Sequence, residues 1–231
     1  MNRLLTSKYA VHSTPLFCCG LLAMCLTTLG AAEEPALSGV PGKLSWKNAP
    51  SAWHIDSGRG LKISAGKATD WFVDPFDGKV ANTAPILLFM PGPDYVLSAK
   101  VNVAFRSKWD AGALMVWADD HHWAKLSFEL SPEKQPTMVT VVTRGLSDDC
   151  NSIPITGDQV FIQVARTGKT YVFYSSVDGH DWKILRTFSL DSKVKQAAGF
   201  EAQSPAGDGT SVTFSEIHYS PTRIKNIYTG Q

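Results

Sequence analysis

The stretch HHWAKLSFEL, residues 121–130, decides how this chain is read. Taken in steps of two, it separates into His122, Ala124, Leu126, Phe128 and Leu130 on one side and His121, Trp123, Lys125, Ser127 and Glu129 on the other. A β-strand sends successive side chains to opposite faces, so the first set reads as a core face. The second reads as a row carrying an indole, an ammonium and a carboxylate on an open sheet surface. The question is whether that row is solvated sheet or the floor of a binding site.

The same grammar extends in both directions. YVLSAKVNVAF alternates Tyr95, Leu97, Ala99, Val101, Val103 and Phe105 against Val96, Ser98, Lys100, Asn102 and Ala104. AGALMVWAD is apolar on both faces, as a central strand covered on both sides should be. TMVTVVTRG, DQVFIQVART, TYVFYSSVDG, QAAGFEAQS and TSVTFSEIHYS follow, separated by ARTGKT, VDGHDW and PAGDG, which supply Gly and Asp for turns. No window has sustained helical periodicity, and β-branched and aromatic residues dominate. Roughly a dozen short strands in one domain predict an all-β fold of two stacked antiparallel sheets. In TSVTFSEIHYS the apolar positions Val212 and Phe214 give way to Ile217 and Tyr219, a one-residue slip that predicts a bulge near Ser215 and Glu216.

The ends are different in kind. Residues 1–32 carry Arg3 and Lys8 as their only charges, an apolar run from Leu16 to Leu29, and the small residues Gly30, Ala31 and Ala32. That is the pattern of a secretory signal peptide cleaved near Ala32, giving an exported chain with no membrane segment in its mature form. A retained N-terminal anchor is the alternative. Cleavage would leave 199 of the 231 residues and move the formal charge from +1 to −1, because only Arg3 and Lys8 are lost. A near-neutral chain without a basic run has no electrostatic footprint for nucleic acid. The expected organisation is a flexible lead over 33–42, a sandwich over 43–220, and a tail over 221–231 forming a loose end or a last edge strand. Cys150 is the only cysteine outside the signal, so no intramolecular disulfide forms. A lone thiol is most commonly buried.

The sequence offers little for catalysis. Glycosidases need two carboxylates about 5–10 Å apart, and Glu129 and Glu201 form the one pair worth measuring. No nucleophile elbow, phosphate loop or dinucleotide fingerprint occurs. DPFDG and SDDCN cluster carboxylates that would suit Ca²⁺, but Asp is a preferred turn residue and the turn reading is favoured. No metal or cofactor is expected. The remaining candidates are polar and aromatic residues at strand positions: Thr69, Asp70, Trp71 and Phe72 in TDWFVDPFDG; Trp123, Lys125 and Glu129; Arg144 at the end of TMVTVVTR; and Glu201 with Gln203 in GFEAQS. Aromatic platforms with charged and amide side chains bind saccharides, whereas the bland reading of the same residues is a solvated face with ordinary core tryptophans.

The ordered series DAGALMV, HWAKLSFE, VTVVTRGLSD, VFYSSVDGHDWKILRTF and AGFEAQSPAGDGTSVTFSEI, with TDWF at 69–72, resembles the domain-of-unknown-function family labelled regulation-of-enolase-like. That family belongs to the concanavalin A-like lectin/glucanase superfamily. The resemblance covers roughly residues 40–220 and implies a jelly-roll sandwich of two curved antiparallel sheets, with no established catalysis. It implies a recurrent polar set at Asp70, Trp71, Trp123, Lys125, Glu129, Arg144 and Glu201, on the concave sheet where the superfamily binds sugars. Two positions depart from the family pattern: Ala111 replaces a Gln after Asp110, and Asp149 replaces a Trp. The expectation is a non-catalytic module for a polysaccharide or oligosaccharide, with Trp71 or Trp123 as stacking platform. The alternatives are a glycoside hydrolase or lyase using Glu129 and Glu201, and a structural or protein-interaction module in which Cys150 bridges to a partner.

Overall fold

Period-two alternation is realised most plainly in Tyr95–Val103, where the odd-numbered side chains are buried and the even-numbered ones half-buried. A computed structural model describes residues 34–57, 59–190 and 193–231; the expected export signal lies outside them. Among the described residues there is no helix.

In chain order the strands are β1 (Ser45–Lys47), β2 (Ala52–Asp56), β3 (Gly60–Gly66), β4 (Trp71–Val73), β5 (Val80–Asn82), β6 (Ile86–Phe89), β7 (Tyr95–Val103) and β8 (Ala111–Asp119). They continue with β9 (His122–Leu130), β10 (Pro136–Arg144), β11 (Leu146–Pro154), β12 (Gln159–Thr167), β13 (Thr170–Ser176), β14 (Lys183–Ser189), β15 (Ala197–Gln203) and β16 (Gly209–Ser220). One seven-stranded sheet has the order β1-β6-β15-β8-β9-β10-β11, and a second the order β14-β13-β12-β7-β16-β3-β2. β4 and β5 pair only with each other. Neighbouring strands are antiparallel throughout.

The core lies between the two large sheets and joins Leu114, Leu126, Phe128 and Phe200 of the first to Leu97, Val101, Ile162 and Phe214 of the second. Phe200 and Phe214 meet with ring centroids 5.2 Å apart. The layers pack tightly at Gly112, where an added Cβ would lie 2.4 Å from Val212 Cγ1 and 2.8 Å from Val101 Cγ2. β8 is buried on both faces up to its last residue, as AGALMVWAD predicts. The predicted bulge is present: the register between β16 and β7 slips between Ser215 and His218, and Glu216 has a φ of 50°.

SVDGHDW and DPFDG act as turns, whereas the turn reading of SDDCN is corrected, because residues 147–151 lie inside β11 and pair with β10. In SVDGHDW, Asp178 Oδ1 accepts from the backbone N–H groups of Asp181 and His180 and from Ser176 Oγ, and these bonds pull its carboxyl down to about 2. In DPFDG, Asp74 Oδ1 accepts from Phe76 N at 2.7 Å and Asp77 Oδ1 from Lys79 N at 2.8 Å.

Three further expectations are corrected. The lead over 33–42 is not a loose segment in its described part, because Leu37 and Val40 are seated in the core. The tail over 221–231 is neither a loose end nor a strand. It folds into turns against the outer face of the second sheet, where Gln163 Nε2 donates to Gly230 O and Tyr174 Oη to Ile227 O, both at 2.8 Å. Cys150 is exposed and free on β11, the edge of the first sheet, rather than buried.

Candidate functional site

The register of the first sheet fixes which side chains share its outer face. Lys125 stands opposite Met115 of β8 and Val141 of β10, while Glu129 stands opposite Ala111 and Thr137. Glu201 and Gln203 of β15 lie opposite Ala113 and Ala111. Trp123, Lys125, Ser127, Glu129, Glu201 and Gln203 therefore occupy one face, the face turned away from the core.

That face is not open. The segment from Thr69 to Ala84, including the β4–β5 ribbon, crosses it as a flap. One end is bound to β15 through paired backbone bonds between Thr69 and Ser204, and the other reaches β11 through Val73 N donating to Ser147 Oγ at 2.9 Å. Beneath the flap is a second apolar cluster containing Trp71, Met115, Trp117, Trp123, Val139 and Val141. Trp71 packs edge-on against Trp117 and Trp123, at 4.8 and 6.2 Å between centroids, and its Nε1 donates to Ala84 O at 2.8 Å. Trp71 and Trp123 are 1% and 0% exposed, so neither indole presents a face to a ligand. Their expected role as stacking platforms is corrected: the flap turns them into its own core.

Lys125 is 2% exposed and donates to Trp71 O at 2.8 Å, Asp70 Oδ1 at 3.3 Å and Gln203 Oε1 at 2.6 Å. Glu201 Oε1 lies 3.8 Å from its ammonium, within ion-pair range but beyond hydrogen-bond reach. Neither Glu201 oxygen accepts a hydrogen bond among the described residues. Gln203 extends the network, its Nε2 donating to Trp109 O at 3.0 Å and standing 3.4 Å from Glu129 Oε2. Burial acts to lower the Lys125 pKa, but the surrounding charges of Glu201, Asp70 and Glu129 outweigh it and leave it raised. Burial pushes both Glu129 and Glu201 up to about 7, against the pull of Lys125.

Arg144 is not part of this group. It is exposed, and the residues of β10 that share the outer face are Thr137, Val139, Val141 and Thr143. Arg144 has the opposite parity, and its guanidinium donates to Ser189 O at 2.5 Å. Asp110 proves structural: Oδ2 accepts from Arg106 N and Ser107 N, and Oδ1 from Ser204 Oγ.

Between the flap and the sheet opens a cavity of about 360 Å³, lined by Phe72, Asp74, Pro75 and Phe76 of the flap and by Trp109, Lys125, Glu129, Gln203, Asp149, Val139 and Val141. Its size falls within the range of about 300–1,000 Å³ common to small-molecule sites. Phe76 is 97% exposed and Trp109 38% exposed. Trp109 holds a φ of 68°, which costs a bulky side chain roughly 1–3 kcal/mol. Its backbone N–H donates to Leu130 O at 2.7 Å, and together with the Gln203 bond to its carbonyl this fixes the main chain that carries the indole to the rim. Phe72 belongs to the candidate set read from the sequence, whereas Phe76 and Trp109 were missed as lining residues. The available signal was an aromatic inside a Pro/Asp/Gly turn, where no core position requires one. A wider depression of about 820 Å³ lies on the outer face of the second sheet beside the tail, but its buried polar side chain, Gln163, is already bonded to Gly230 O.

The family described as "Protein of unknown function (DUF1349)" matches residues 46–222. The chain belongs to this family. Regulation of enolase protein 1 of Saccharomyces cerevisiae is 24% identical to this DUF1349 chain over 173 residues, covering 74% of the chain and 86% of the yeast protein. A crystal structure of a functionally unknown protein from Saccharomyces cerevisiae superimposes with a TM-score of 0.71 at 23% identity, covering 77% and 95% of the two chains. A xylan beta-1,4-xylosidase from Bacillus halodurans C-125 gives a TM-score of 0.57 at 15% identity, over 70% of this chain and 32% of the enzyme. These likenesses establish the sandwich fold that the DUF1349 chain shares with them.

Proposed function

We propose that this DUF1349 chain is a non-catalytic carbohydrate-binding sandwich, exported by way of residues 1–32, and that it holds a saccharide in the cavity beneath the flap. The observation that carries the proposal is the pairing of two wall chemistries in one 360 Å³ space. Phe72, Phe76 and Trp109 supply apolar faces for sugar C–H groups, and Glu129, Asp149 and Gln203 supply polar groups for hydroxyls. Fold likeness to part of a xylan-acting enzyme supports the reading. Asp70, Trp71, Trp123 and Glu201 support the site from behind rather than touching the ligand, and Lys125 fixes its floor.

The glycosidase alternative requires Glu129 and Glu201 to flank one bond. They share a sheet face, but Glu201 is 0% exposed and does not line the cavity, so only Glu129 reaches a ligand. A bridge through the exposed Cys150 remains compatible with a partner-binding role and leaves the cavity unexplained.

Calorimetry against a panel of oligosaccharides tests the proposal, with Phe76→Ala as control. Phe76 is almost fully exposed, so its removal leaves the fold intact. Binding by the parent chain and a loss of about tenfold or more in the variant are expected, since one stacked ring is worth on the order of 1–3 kcal/mol. Binding indifferent to Phe76, or no binding to any glycan, overturns the proposal.

A further inference from the structure

The charge inside the cavity selects among sugars. Three carboxylates line it, from Asp74, Glu129 and Asp149, against a single ammonium, from Lys125. An ammonium has three N–H donors, and those of Lys125 are committed to Trp71 O, Asp70 Oδ1 and Gln203 Oε1. Its charge is answered by Asp70 and Glu201, neither of which lines the cavity. The space a ligand would enter is therefore electronegative.

Glu129 is the focus of that field. It is 9% exposed, and its Oε2 has one long contact, with Gln203 at 3.4 Å. Neither of its oxygens is among the buried polar atoms that lack a partner, and the side chain lines the cavity. A carboxylate on a cavity wall is an acceptor that a ligand's N–H donor can reach. The aromatic walls add to the effect, because ring faces attract cations. Lys108 Nζ, which is not among the lining groups, already sits 4.3 Å from the Trp109 ring centroid.

We propose that the cavity takes an amino sugar with a free, protonated amine, its ammonium donating to Glu129 and its ring lying against Phe72, Phe76 and Trp109. The inference rests on the carbohydrate reading above and narrows it to a cationic class. The groups acting electrostatically on Glu129 are Lys125 beside it on β9, Glu201 on β15, Asp70 at the start of the flap and Asp149 on β11. Three of these four are acidic, and with burial they hold Glu129 near 7 in the free protein. An ammonium placed beside it favours the ionised form, so binding at mildly acidic pH, where the sugar amine is already protonated, releases protons from Glu129.

The test is calorimetry on the whole chain at low salt with three probes of equal length: a β-1,4 glucosamine oligomer, its N-acetylated counterpart and a neutral xylose oligomer. The glucosamine oligomer is expected to bind about tenfold or more tightly than the other two, the worth of one modest charge pair. That preference should shrink with added salt and in Asp149→Asn, an exposed position whose change leaves the fold unaltered. Heats that vary with buffer ionisation enthalpy would register the proton release. Equal or tighter binding of the acetylated or neutral oligomer overturns the cationic assignment and leaves the carbohydrate reading standing. Failure of all three probes, with the chain folded by circular dichroism, overturns the amino-sugar assignment, while the carbohydrate reading falls only if the wider oligosaccharide panel fails as well.

Discussion

The Lys125 ammonium and the Glu201 carboxylate face each other across 3.8 Å in a fully buried space, and no hydrogen bond closes the gap. Lys125 is what makes the acidic groups tolerable beneath the flap. Lys125→Met, similar in length and without charge, strands Asp70 and Glu201. Removing one partner of a buried ionic group costs about 3–5 kcal/mol. Urea denaturation should show a loss of that order, partly recovered in the double variant Lys125→Met with Glu201→Gln. No recovery would mean that the two groups are not coupled.

The same carboxyls set a pH dependence. Glu129 and Glu201 both titrate near 7 in the folded chain, against an ordinary value of 4.5, because burial disfavours their charge. Between those values the folded state binds more protons than the unfolded state. Their contribution is full below about 4.5 and is lost as pH rises through about 7. Asp94, Asp119 and Asp178 are lowered instead, so their contribution falls away only below 3.8, outside this window. Thermal stability should decline from pH 5 to pH 8 by a total on the order of 1–3 kcal/mol. Glu201→Gln should flatten the slope.

At Gly112 the two sheets leave no room for a side chain. Gly112→Ala puts a methyl group 2.4 Å from a branched Val212 side chain that has nowhere to retreat. Overpacking of this kind costs about 1–3 kcal/mol. The denaturation midpoint should fall with no change in its slope.

Trp123 and Phe76 separate stability from recognition. Trp123→Ala empties the layer under the flap and should cost about 3–5 kcal/mol, while Phe76→Ala should leave the melting curve in place and reduce ligand affinity alone. The reverse pattern would mean that the flap does not cover Trp123 in solution.

Much of the architecture is legible residue by residue. The alternation in β7 and β9, the doubly apolar β8 and the slip at Ser215 and Glu216 each follow from side-chain period alone, a property local to a few residues. The grouping of Lys125 and Glu129 on one face is legible for the same reason. Whether that face meets water is not, because the answer depends on where residues 69–84 come to rest, some fifty positions away along the chain. Arg144 was misplaced through register. It ends its strand with a parity opposite to Val139 and Val141, and parity acquires a direction only once the pairing with β9 is known. Phe76 and Trp109 lie between strands, where alternation assigns no face at all.

The flap, anchored at Ser204 on one side and Ser147 on the other, also determines when the cavity exists. Its walls come from segments scattered between Phe72 and Gln203, so no fragment shorter than most of the domain can assemble them. Occupancy is then linked to folding, and a bound saccharide should raise the melting temperature in proportion to the logarithm of its concentration once the site is saturated. Thermal shift across a glycan library thus doubles as a search for the natural ligand.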